Sequence, residues 1–136
     1  MKLSRQEEIA LLFTSELANQ KDMFVSLSEV ADKHGASLLF LKKIARMLKK
    51  EGLLTSKEGQ GGGYVLKKAP EDISAFDVLQ AVNGKSAESG ILKSNFTCPL
   101  HPSCMPQKIR QLISEAFMRY LSDVTIDQFI RERRGL

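Results

Sequence analysis

Tryptophan is absent from these 136 residues, and cysteine and histidine are scarce at two apiece. Two cysteines cannot staple a small domain, so a disulfide scaffold is excluded and a reducing cytoplasm is the expected location. In that setting paired cysteines more often serve metal or redox chemistry. No apolar run approaches the roughly 20 residues of a membrane-spanning helix, so no membrane partner is expected. The charged opening, Met1 to Glu8, leads into a periodic segment and does not read as a signal peptide. A composition 43% hydrophobic and 26% charged excludes disorder and low-complexity classes. The length is one domain's worth of chain.

Net charge is a modest +4, but it is unevenly placed. Residues 1–70 hold 12 Lys and Arg against 8 Asp and Glu, whereas residues 71–136 hold 8 against 8. Lys33 to Lys50 contains six basic residues and no acidic one. A local field of that sign suits a polyanion, nucleic acid first among them. A solvated helix face would show the same charge, so the context of the segment decides.

Ser4 to Asn19 reads as a first helix, with Ile9, Leu12, Phe13 and Leu17 at helical spacing. Ser26 is placed to cap a second helix, and Glu29, three residues on, to close a capping box. That helix turns Leu27, Val30 and Ala31 inward and stops near Gly35. Ser37 then caps a third helix that runs to about Glu51 and ends at Gly52. Helix, tight glycine turn, helix is helix-turn-helix spacing. On the third helix Leu38, Leu41, Ile44, Ala45 and Leu48 form a core stripe, while Lys42, Arg46 and Lys49 share another face with Lys43 and Lys50 beside them. Ser37, Leu39 and Phe40 at its start fall closest to base edges in a groove-reading geometry.

Past Gly52 the period changes. Leu53 to Thr55 and Tyr64 to Leu66 read as two short strands around the turn Gly59 to Gly63, which holds four glycines in five residues. A hairpin directly after a recognition helix is the wing of a winged helix, and its glycines let the backbone approach phosphate or the minor groove closely. The loop fits neither a Walker A nor a Rossmann pattern, since no Gly-Lys-Ser/Thr follows and Tyr64 stands where a third glycine is needed. The expected DNA-contacting set is Ser28, Ser37, Leu39, Lys42, Lys43, Arg46 and Lys49, with Gln60, Gly61 and Gly62 on the wing.

Ser74 to Val82 reads as a further short helix closed by Gly84. Lys85 to Pro106 is loop-like and carries both cysteines and three of the four prolines. Gln107 to Leu121 is amphipathic, with Ile109, Leu112, Ile113, Ala116, Phe117, Tyr120 and Leu121 in one apolar stripe. Such a helix at the end of a small DNA-binding domain is a candidate homodimer seam, with packing inside its own chain as the plainer alternative. Thr125 is placed to cap a last helix with Ile126, Phe129 and Ile130, and the basic tail Arg131 to Arg134 offers a second phosphate contact or a frayed end. The expected class is therefore mainly α with a small β-hairpin wing. Residues 1–84 form a winged helix-turn-helix, 85–106 a cysteine-containing sensor loop, and 107–136 a dimerisation helix and tail. An enzyme is disfavoured, because the histidines and cysteines come with no cofactor fingerprint or general-base pairing. A winged helix used purely for protein interaction is disfavoured by the basic run.

Several segments together resemble one bacterial family. They are Met1-Lys2-Leu3-Ser4, Val25-Ser26-Leu27-Ser28-Glu29-Val30-Ala31, Leu41-Lys42-Lys43-Ile44, Leu48-Lys49-Lys50-Glu51-Gly52-Leu53-Leu54, and the wing Gly59-Gln60-Gly61-Gly62-Gly63-Tyr64-Val65-Leu66. Ile73-Ser74 to Val82-Asn83-Gly84 matches as well. The chain resembles the Rrf-type family of winged-helix transcriptional regulators over nearly its whole length. The resemblance implies homodimers with a long C-terminal dimer helix, and palindromic operators in double-stranded DNA read by the third helix and the wing. It also implies, for many members, an iron–sulfur cluster that senses redox state, nitric oxide or iron–sulfur status, whereas others sense sulfur metabolites without one. Cluster-bearing members supply three cysteines from the loop before the long helix, and their fourth ligand can be a carboxylate from the partner's first helix.

Here that loop reads Cys98-Pro99-Leu100-His101-Pro102-Ser103-Cys104-Met105-Pro106. Cys98 and Cys104 keep the family's interval, but the third position at that interval is Arg110. A 4Fe–4S site held by three thiolates of one chain is excluded by count. Four arrangements stay open. Cys98 and Cys104 can hold a 2Fe–2S cluster with non-cysteine ligands, for which Glu8 matches the family's carboxylate position and His101, or less well His34, offers imidazole, as in Rieske centres. Cys98, His101, Cys104 and Met105 can instead bind zinc or Cu(I). The two thiols, six positions apart, can reach the ~5.5 Å Cα separation of a reversible disulfide. Or they are bystanders of a lost cluster. Plainer roles exist beside these: Glu8 as a first-turn acid on the helix dipole, His34 as a helix C-terminal residue, and Met23, Met105 and Met118 as packing.

Overall fold

The computed structural model describes residues 3–84 and 105–135, and the loop with Cys98, His101 and Cys104 lies outside them. The described elements are α1 (Arg5–Asn19), α2 (Leu27–His34), α3 (Leu38–Lys50), β1 (Leu54–Lys57), β2 (Gly63–Leu66), a 3-10 turn (Pro70–Asp72), α4 (Ala75–Asn83), α5 (Met105–Asp123) and α6 (Ile126–Gly135). Six helices and one antiparallel hairpin make the winged-helix architecture expected from the sequence.

Each helix start has a local cause. Ser4 and Glu7 exchange side-chain and backbone bonds as a capping box on α1, and Ser74 and Asp77 do the same on α4. Ser26 caps α2 through the Ser28 N–H at 3.2 Å, in place of the box anticipated with Glu29. Gly35 closes α2 in the left-handed region at φ 62°, where a side chain would be strained. Thr125 caps α6 by accepting from the Gln128 N–H at 3.2 Å.

α1 is the central post. Its Ile9, Phe13 and Leu17 are buried with Val30 of α2, Leu41, Ile44 and Leu48 of α3, Leu54 of β1 and Val78 and Val82 of α4. Each such side chain contributes about 1.5–3 kcal/mol on leaving water. Phe13 meets Tyr64 of β2 edge-on, with ring centroids 6.1 Å apart, which fastens the wing to the post. Leu38, expected in the core stripe, is the first residue of α3 and sits at the margin of the core, 37% exposed.

The wing pairs Leu54 with Leu66, Thr55 with Val65, Ser56 with Tyr64 and Lys57 with Gly63. A third segment joins it: Val25 and Tyr64 exchange N–H to carbonyl bonds of 2.9 Å in both directions. This backbone approach explains Gly63, at φ 146°, since a Cβ there would overlap the Val25 carbonyl. The glycine anticipated as an opening toward DNA is required by the protein's own fold.

The chain's end returns to its beginning. Ile126 and Ile130 of α6 are buried in the same core as Ile9 and Phe13. The Ala75 N–H donates to the Val124 carbonyl and the Ile126 N–H to the Ile73 carbonyl, each at 2.8 Å. The corner between α5 and α6 is thereby stitched to the start of α4. At the other end of α4, Asn83 Nδ2 donates to Glu7 Oε1 at 2.7 Å, and the Gln6 side-chain amide donates to the Val82 carbonyl. No described helix is long and apolar enough to cross a membrane.

Candidate nucleic-acid interface

Among the described helices α3 has the strongest division of faces: Leu41, Ile44, Ala45 and Leu48 are buried, and Lys42, Lys43, Arg46, Lys49 and Lys50 are exposed. At 100° per residue, Leu39, Lys43, Arg46 and Lys50 form one line up the outer face, with Lys42 and Lys49 beside it. Leu39, 78% exposed, is the most exposed large apolar side chain among the described residues. Ser37 is the N-cap, its hydroxyl accepting from the Phe40 N–H at 3.4 Å. Phe40, placed near base edges by sequence reasoning, instead packs half-buried against the core. Its position is set by helix phase: it lies 100° on from Leu39, away from the outer line.

One of the other expected contacts, Lys49, carries an intramolecular partner, and so does Lys57 on β1. Lys49 Nζ donates to Ser56 Oγ at 2.6 Å, tying α3 to β1. The Lys57 ammonium lies 5.9 Å from the Phe24 ring centroid, a cation–π contact at the turn end of β1. Gln60 and Gly61 are exposed at the wing tip, while Gly62 is half-buried and a Cβ on it would overlap the Lys57 carbonyl. Ser28 is exposed in the first turn of α2.

The seat of the helix-turn-helix holds an ionic cluster that net charge along the chain does not reveal. Glu16 of α1 is 4% exposed. Its Oε2 accepts from Lys33 Nζ at 2.9 Å, and its Oε1 lies 3.1 Å from His34 Nε2, a close but poorly aligned approach. Burial pushes the Glu16 carboxyl up, but the Lys33 hydrogen bond and charge, with His34 beside them, outweigh it and hold the group below its ordinary value. Lys33 is thus partly committed to α1. The signal was available: Glu16 falls seven residues after Ile9, on the core face of an otherwise apolar stripe. Glu7 was legible in the same way, as the fourth residue of Ser4-Arg5-Gln6-Glu7.

Of the metal-ligand candidates, Glu8 is exposed in the first turn of α1, with Arg5 Nη1 3.6 Å away, and His34 is engaged by Glu16. Cys98, His101 and Cys104 fall outside the described residues. On α5, Ile109, Leu112, Ile113 and Tyr120 are 50–65% exposed, Ala116 is exposed, and Phe117 is half-buried. Arg131 of the tail pairs with Asp127 at 2.7 Å. A hollow of about 350 Å³ between the end of α1 and the chain after β2 is lined by Lys21, Lys67 and Lys68 against Asp22 and Glu71, with no nucleophile or histidine.

Known proteins agree with this geometry. A family profile described as "Rrf2: Iron-dependent Transcriptional regulator" matches residues 3–132. Protein rrf2 of Nitratidesulfovibrio vulgaris (strain Hildenborough) is 29% identical over 133 residues, covering 97% of this chain and 89% of its own. The HTH-type transcriptional regulator IscR of Klebsiella pneumoniae (strain 342) is 26% identical over 137 residues, covering 100% and 83%. Among solved structures, CymR (YrzC), the global cysteine regulator of B. subtilis, superposes with a TM-score of 0.79 at 24% identity, over 97% of this chain and 98% of that one. T. potens IscR does so with a TM-score of 0.78 at 23% identity, over 98% and 88%. At those identities the solved structures speak for the fold, and the sequence relatives are transcriptional regulators rather than enzymes.

Proposed function

Because the chain belongs to the Rrf2 family of transcriptional regulators, we propose that it binds palindromic operator DNA as a homodimer and acts as a repressor whose grip depends on the state of the cysteine loop. The observation that carries the DNA reading is the outer face of α3, where Lys42, Lys43 and Arg46 stand exposed in a segment without an acidic residue. The first turn of α3 enters the major groove, Lys42, Lys43 and Arg46 meet guanine edges or phosphates, and the wing tip at Gln60 and Gly61 follows the neighbouring minor groove. Lys49, bonded to Ser56, sets the angle between helix and wing. The exposed apolar stripe of α5 supports a seam between two copies, which would place the two recognition helices about 34 Å apart.

The test is selection of duplexes from a random pool, followed by titration of the selected site across salt. With three or four phosphate contacts per subunit, log K falls against log salt with a slope of roughly −5 to −7. A slope near zero removes the charge assignment. Failure to bind any duplex leaves a protein-interaction winged helix.

For the sensor, the donor set fits a 2Fe–2S cluster better than a 4Fe–4S one, since two cysteines are present where three are needed. Glu8 is open to a group from outside its own helix, whereas His34 is held at Glu16. Cys98 and Cys104 would then hold the cluster, with His101 and Glu8 of the partner subunit completing it, and the bound group would supply one-electron redox chemistry. The loop runs directly into α5, so its ordering bears on the seam, and only a state with different affinity for the two arrangements shifts DNA binding. Iron and acid-labile sulfide, assayed on protein purified without oxygen, should come to about two of each per chain and vanish in Cys98→Ser. Colourless protein that stays iron-free after reconstitution assigns the cysteines to zinc, Cu(I) or a thiol switch instead.

A further inference from the structure

We propose that Leu39 reads the 5-methyl group of a thymine in the operator half-site, and that α3 places this thymine within about two base pairs of a guanine read by Lys43. The inference rests on the DNA-binding reading above and adds to it the identity of the bases.

A single exposed leucine on a protein surface is ordinary. Leu39 differs by its setting. It is the second residue of α3, the part of a recognition helix that reaches base edges. It lies on the same line as Lys43 and Arg46, one and two turns further on, so cations that bring α3 to a polyanion bring Leu39 to the groove floor. Ser37, beside it, is the N-cap, with its hydroxyl oxygen accepting from the Phe40 N–H. The only base feature in the major groove that gains from an aliphatic contact is the thymine methyl.

The remaining chemistry of the face narrows the neighbours. Leu38 to Lys50 contains no Asp, Glu, Asn or Gln. The helix therefore offers no acceptor for the cytosine amino group and no amide for the paired donor and acceptor of adenine. Its polar side chains on the outer line are donors only, which match the N7 and O6 acceptors of guanine. One helical turn advances about 5.4 Å, and successive base pairs stand about 3.4 Å apart, so Lys43 falls one to two pairs beyond the thymine met by Leu39.

The test uses the full chain and the duplex it selects. Each thymine of the selected half-site is replaced in turn by deoxyuridine, which removes the methyl group and nothing else. At one position the parent should lose about fourfold in affinity, the worth of burying one methyl-sized group, and about fifteenfold when both half-sites are changed. Leu39→Ala should bind the thymine and uracil duplexes equally, and circular dichroism should match the parent because the side chain is exposed. Loss of the same size in Leu39→Ala overturns the assignment, as does the absence of any uracil-sensitive position in the parent. If the selected duplex is bound tightly with steep salt dependence in either case, the DNA-binding reading stands while the role of Leu39 falls. If no duplex is selected, both fall together.

Discussion

Glu16 is a carboxylate inside the seat of a DNA-reading module, and its charge is kept there by Lys33 and His34 across the α1–α2 contact. A carboxyl held below its ordinary value of 4.5 in the folded chain stabilises that chain at neutral pH. The contribution is full above the ordinary value and is lost as pH falls through the lowered folded value. Urea unfolding should therefore show stability declining below about pH 4.5, and Glu16→Gln should flatten that part of the profile. Lys33→Met should cost about 1–2 kcal/mol at pH 7, less than a fully buried pair, because the Lys33 side chain is 60% exposed. An acid profile unchanged by Glu16→Gln would show that the cluster does not anchor α2. Lys33 therefore serves the fold as well as the local positive field.

At the scale of elements, the wing depends on a backbone contact. Val25, Tyr64 and Gly63 bring three segments within hydrogen-bonding distance, and Gly63 is where a side chain has no room. Gly63→Ala should destabilise the chain by about 1–3 kcal/mol and detach the wing from α2, whereas Gly61→Ala, at φ 73° with open space around it, should cost about 1 kcal/mol. Thermal unfolding of the two variants separates these outcomes, and equal losses would place the strain in the turn rather than in the Val25 contact. The hairpin and its glycines were legible in the sequence because turn chemistry is local, but which glycine faces protein and which faces solvent was not. The same division runs through the helices. Ser4, Ser26, Ser37, Ser74 and Thr125 announce their caps, and Ile9, Phe13, Leu41, Ile44 and Leu48 announce the core. The half-burial of Phe40, the tie from Lys49 to Ser56 and the return of Ile126 and Ile130 to α1 depend on where distant elements come to rest. Periodicity carries no information about that.

For the whole molecule, the surface on which the proposed dimer turns is α5. One end of this helix is stitched through the Ser74–Thr125 bridge to α4, and it leaves Ile109, Leu112, Ile113 and Tyr120 largely in water. Half-exposed side chains of this size each gain about 1 kcal/mol when a second copy covers them, and a self-complementary stripe covers itself by a two-fold axis. If that axis sets the spacing of the two recognition helices, breaking it should separate half-site affinity from operator affinity. The variant with both Leu112→Glu and Ile113→Glu places like charges across the seam without touching the core of a single chain. Light scattering should give the monomer mass, and circular dichroism should be unchanged. Affinity for the full palindrome should fall by roughly 10²–10⁴, the contribution of tethering two readers, while binding to an isolated half-site persists. A variant that stays dimeric and holds the palindrome as the parent does would move the seam away from α5. The cysteine loop, which enters this helix, would then lose its route to the DNA.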